Sequence, residues 1–66
     1  MMIRHRNILS TSTSDGNSLK LNLDMVVAYE RGGSYSETRV YCTGHTFTLD
    51  VDVRSFEEEY YEYIDG

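Results

Sequence analysis

The expected fold is α+β and mainly β: four to five short antiparallel strands followed by one C-terminal helix. Three observations predict it. Apolar and polar residues alternate with period two at residues 19–23, 38–43 and 46–51. Glycine-bearing turn sequences separate these runs. At the C-terminus the period becomes helical, with Phe56, Tyr60, Tyr63 and Ile64 on one stripe. Sixty-six residues make a single small domain, 1–66.

Residues 1–9 can form a first strand, with Met2, Arg4 and Arg6 on one side and Ile3 and His5 on the other. The pair Ile8-Leu9 breaks that alternation. Residues 10–18 are Ser, Thr, Asp, Gly and Asn only, and this composition predicts a polar loop around the turn signal Asp15-Gly16. Leu19, Leu21 and Leu23 then define a half-buried strand. Residues 25–30 form another, where Val26 with Ala28 and Val27 with Tyr29 are equally good inward pairs. The link from Arg31 to Glu37 holds Gly32-Gly33 and is longer than a tight hairpin needs.

The central hairpin, residues 38–51, is the best-specified element. Glycine at the first of two turn positions, Gly44-His45, is a type II′ signature. It sets Cys42 opposite Phe47, Val40 opposite Leu49 and Thr38 opposite Val51, with Arg39 facing Asp50 on the other side. Ser55 with Glu58 three residues later is a capping-box pattern, so the helix is expected at about 55–64.

A chain this small buries only about 60% of its unfolded surface. Cys42 is the only cysteine, so no intrachain disulfide is available, and His5, Cys42 and His45 lack zinc spacing. Self-association is the remaining stabiliser, and a homo-oligomer is expected. No apolar run approaches membrane-spanning length, and no apolar segment follows the basic N-terminus. The unpaired cysteine suits a cytoplasmic location.

The net charge of −5 is unevenly distributed. Residues 50–66 carry seven carboxylates against Arg54, whereas residues 1–49 carry five cations against four carboxylates. No contiguous basic patch is present, which argues against direct nucleic-acid binding. Enzyme motifs are absent too: Gly32-Gly33 opens no phosphate loop, and Cys42 falls on the expected core face. No cofactor and no metal are expected, since Glu57, Glu58 and Glu59 diverge around a helix.

Two groups of residues carry the functional expectations. Arg4, His5, Arg6, Arg39, Tyr41 and His45 supply cations and an aromatic ring for a small anionic, nucleotide-like ligand. Glu57, Glu58, Glu59, Tyr61 and Glu62 supply an acidic, tyrosine-rich face for a basic host protein surface, as a nucleic-acid mimic would.

The layout of residues 22–30, 38–44 and 47–51 followed by the acidic helix resembles a loose group of short bacterial and phage proteins, including a small flagellar-operon family. The resemblance spans about residues 19–64 and implies a compact accessory protein of phage or mobile-element origin, with no site residue carried over. The Ser/Thr-rich insertion and the tyrosine-laden helix depart from that layout. The leading expectation is a non-enzymatic, homo-oligomeric binding protein that sequesters an anionic ligand, as in counter-defence. The alternative is a protein–protein inhibitor or adaptor.

Overall fold

The computed structural model describes residues 2–66. Six strands form two three-stranded antiparallel sheets. Sheet 1 contains β1 (Ile3–His5), β2 (Ile8–Ser12) and β3 (Ser18–Asn22); a 3₁₀ turn, Leu23–Met25, leads on. Sheet 2 contains β4 (Val26–Arg31), β5 (Thr38–Cys42) and β6 (His45–Leu49), and the helix α1 (Val53–Asp65) closes the chain. The mainly β, α+β class is the expected one.

The strand beyond the expected number comes from the hydroxyl-rich tract. Ser10, Thr11 and Ser12 belong to β2, paired with Lys20, Leu19 and Ser18, so the polar loop expected at 10–18 shrinks to a turn. That turn is closed by Thr13 N–H to Asn17 O at 2.8 Å. Threonine fits a pleated strand well, and Thr11 is buried at 6% exposure on the same side as Leu9 and Leu21. The chain then crosses to sheet 2. Asp50 N–H donates to Ser12 O at 2.8 Å and Ser14 N–H to Thr48 O at 2.9 Å, flanking a Thr13–Leu49 bridge.

A β-bulge resolves the two-way reading of β4. Val26 opposes Cys42 and Ala28 opposes Tyr41, leaving Val27 as the extra residue. Val26 and Tyr29, three apart, therefore both face inward, and Val27 is 71% exposed. The β4–β5 link is a hairpin after all. Gly32 N–H donates to Glu37 O at 2.9 Å, and a Cβ on Gly32 would lie 2.9 Å from the Glu37 side chain.

The central hairpin turns one residue earlier than expected. Its loop is Thr43-Gly44, with Cys42 opposite His45, Val40 opposite Phe47 and Thr38 opposite Leu49. Gly44 occupies the second turn position at φ 81°, where a type II turn needs glycine. This slip of two leaves every face intact, because the side-chain period is two. It does replace the expected Arg39–Asp50 pair: Arg39 opposes Thr48 and Glu30.

The helix also starts earlier than residue 55. Asp52, not Ser55, is its N-cap, accepting from Ser55 N–H at 3.1 Å and from the Ser55 hydroxyl at 2.8 Å. Those two bonds hold the Asp52 carboxyl below its ordinary range. Phe56 is fully buried with Leu9, Leu21, Leu23, Val26, Val40 and Leu49, while Tyr60 and Tyr63 pack at the edge of this core. Ile64, the last residue of the expected stripe, is 57% exposed.

Candidate functional site

Register fixes where the cationic residues fall. Arg4 shares a row with Leu9 and Leu21, so it points to the core side of sheet 1, toward the helix. Its Nε lies 3.3 Å from Glu59 Oε1 and its Nη2 lies 3.6 Å from Glu62 Oε1, while Nη1 donates to Arg6 O at 2.6 Å. His5 and Arg6 are exposed, Arg6 in the β1–β2 turn at φ 58°. Arg39 and Tyr41 lie on the outer face of sheet 2, and both bond one carboxylate: Arg39 Nη1 is 3.1 Å from Glu30 Oε2, and the Tyr41 hydroxyl donates to the same oxygen. The Tyr41 hydroxyl, and then Arg39, hold the Glu30 carboxyl below its ordinary range. His45 stands at the start of β6, its ring 5.4 Å from that of Phe47.

The six residues expected to hold an anion thus divide between two sheets. The guanidinium groups of Arg4 and Arg39 already face carboxylates, which blunts their attraction for a further anion. Cys42 directly opposes His45, yet burial pushes the Cys42 thiol up, away from the reactive thiolate form. Among the described residues no three His, Cys, Asp or Glu side chains converge to hold a metal ion.

The acidic residues divide as well, this time by helical phase. Glu57 and Glu59 attach the helix. Glu57 Oε2 accepts from the Tyr29 hydroxyl at 2.8 Å and from the Tyr61 hydroxyl at 3.2 Å, and Glu59 accepts from Arg4. Burial, and then the Glu57 carboxylate, raise the Tyr29 phenol well above its ordinary value. The Tyr29 ring meets Phe56 edge-on at 5.1 Å and Tyr60 at 5.5 Å. At the far end the Tyr63 hydroxyl donates to Asp24 beside the 3₁₀ turn.

Glu58, Glu62 and Asp65, spaced four and three apart, form a second stripe that faces solvent. Tyr61, 53% exposed, and Ile64 flank it. Arg54 is the one cation of the helix, a turn before Glu58. A wide-open depression of about 760 Å³ runs along this side, lined by Arg4, Tyr61 and the carboxylates of Glu58, Glu59, Glu62 and Asp65. Of the acidic candidates, Glu58, Glu59, Tyr61 and Glu62 line this depression, whereas Glu57 turns to Tyr29; Glu59 and Glu62 also meet Arg4. Asp65 and Ile64 belong to the surface too. Their signal was helical spacing, three residues on from Glu62 and Tyr61.

No helix among the described residues is long and apolar enough to cross a membrane. Comparison with protein-family models, with curated proteins and with solved structures finds no match.

Proposed function

We propose that this chain is a non-enzymatic protein-interaction module whose working surface is the outer face of α1. One observation carries the reading: Glu58, Glu62 and Asp65 form a solvent-facing carboxylate stripe beside exposed Tyr61 and Ile64, on a helix held to the sheets through Glu57 and Glu59, with Glu62 sharing the Arg4 contact at its edge. Anchoring matters because a rigid element presents charge without an ordering cost on binding. Exposed tyrosine supplies contact area, and the carboxylates supply orientation toward a cationic protein surface. An aqueous, reducing compartment suits the unpaired Cys42.

The test is a two-dimensional NMR titration with a short Lys/Arg-rich peptide of defined sequence and its Glu-substituted counterpart. Shifts should concentrate at residues 58–66 and appear only with the basic peptide. They should collapse when Glu58, Glu62 and Asp65 become Gln, Gln and Asn. Shifts of equal size on sheet 2, or in the neutralised variant, would contradict the reading.

A further inference from the structure

Among the described residues no layer covers the outer face of sheet 1, and its composition is the complement of the helix stripe. Cross-strand register puts Ile3, Ser10 and Lys20 in one row, and His5, Ile8 and Asn22 in the next. Ser12 and Ser18 form a short third row. Ile3 is 60% exposed, and the Lys20 ammonium donates to the Ser10 hydroxyl at 3.0 Å, which keeps its charge on this face. No carboxylate occupies any of these positions. The carboxylates at the two ends are already engaged: Asp15 by the Thr13 hydroxyl, and Asp24 by Asn7 and Tyr63.

We infer that the partner of the acidic helix face is a second copy of this chain, docked through the outer face of sheet 1. The inference rests on the reading of α1 as the working surface and gives that surface an occupant. Two complementarities select a second copy. The Lys20 ammonium on one copy meets Glu58, Glu62 and Asp65 on the next, and unlike charges across an interface fix register. Exposed Ile3 and half-buried Ile8 meet Tyr61 and Ile64, apolar groups that otherwise stay in water. A helix laid on an open sheet face is also the layer arrangement small domains use to bury such surfaces.

The contact is heterologous, joining two different surfaces, so it closes into a ring when the rotation between copies permits. It also answers the size problem. A 66-residue chain without a disulfide gains a second buried layer from its neighbour.

The experiment is solution mass by sedimentation equilibrium on the full chain at about 0.1 mM, in low and in roughly 0.5 M salt, where screening of exposed charge is strong. Wild type should exceed its monomer mass of 7.6 kDa. Association should weaken at least tenfold in high salt, and likewise in Lys20→Glu and Glu58→Lys. The chain carrying both substitutions should recover it, since each new charge then meets its opposite on the neighbour. Circular dichroism confirms that each variant is folded. A wild type that is monomeric throughout overturns the inference and leaves the helix surface to be judged by the peptide titration. Association that ignores Lys20→Glu but responds to Glu58→Lys overturns the docking on sheet 1 and upholds the helix. Association that ignores both overturns the docking between copies and leaves the helix surface to be judged by the peptide titration.

Discussion

The two sheets have the same number of strands and the same antiparallel order, yet they are finished differently. Sheet 2 pairs its buried threonine and its arginine close by. Its buried threonine, Thr38, donates to Val51 O at 2.8 Å, and its arginine, Arg39, pairs with Glu30 on the neighbouring strand. Sheet 1 depends on the rest of the molecule. Its buried threonine, Thr11, has no hydrogen-bond partner for its hydroxyl among the described residues, and its arginine, Arg4, reaches off the sheet to hold the helix. Both sheets hold the helix, sheet 2 through Tyr29 to Glu57 and sheet 1 through Arg4 to Glu59, but only sheet 1 commits its arginine to it.

Valine at the two buried threonines should break the symmetry most visibly. Thr38→Val strands the Val51 carbonyl and should cost about 1–3 kcal/mol. Thr11→Val removes an unpaired buried hydroxyl at nearly constant volume and should gain about 1 kcal/mol. Urea denaturation of both variants reads the difference, and equal signs would erase the contrast between the sheets.

A smaller effect separates the arginines. Arg4→Met should speed amide exchange in the second half of α1 about fivefold, the equivalent of ~1 kcal/mol for a partly shielded pair. The same change at Arg39 should leave the helix protected and act only on β4 and β5. Exchange rates that respond identically would show that the helix does not depend on sheet 1.

The smallest effect is a pH limb. The Tyr29 phenol is raised in the folded state, so its contribution is complete below the ordinary tyrosine value of about 10 and is lost as pH rises beyond it. Wild-type Tm should therefore fall more steeply above pH ~10 than that of Tyr29→Phe, which has no such group to ionise. Parallel curves would show that folding does not raise the Tyr29 phenol.

Much of sheet 2 was legible because alternation encodes faces directly. Val40, Phe47 and Leu49 point inward whichever residue begins the turn, so misplacing the turn at Gly44-His45 changed partners but not sides. Ser10-Thr11-Ser12 was illegible because hydroxyl residues serve loops and solvated strands equally, and only burial of Thr11 distinguishes them. The bulge at Val27 leaves no mark in a run where every residue suits a strand. For the site, the run Glu57, Glu58, Glu59 and Glu62 marked an acidic helix but not which carboxylates share a side with Asp65. It could not reveal that Arg4 would reach Glu59, 55 residues away, and the cross-strand Glu30–Arg39 pair was missed because residues 31–37 do not read as a tight hairpin. Long-range ion pairs depend on how two sheets and a helix are stacked, and local sequence does not carry that.

On the proposed reading, binding uses the outer face of α1 and the outer face of sheet 1, and the outer face of sheet 2 takes no part. A concentration series of two-dimensional NMR spectra on wild type tests it most directly. Amide shifts should grow with concentration at residues 58–65 of α1 and along Ile3, Ser10 and Lys20, with Arg39, Tyr41 and Thr48 unmoved. Shifts centred on the outer face of sheet 2, or none at all, would contradict the account.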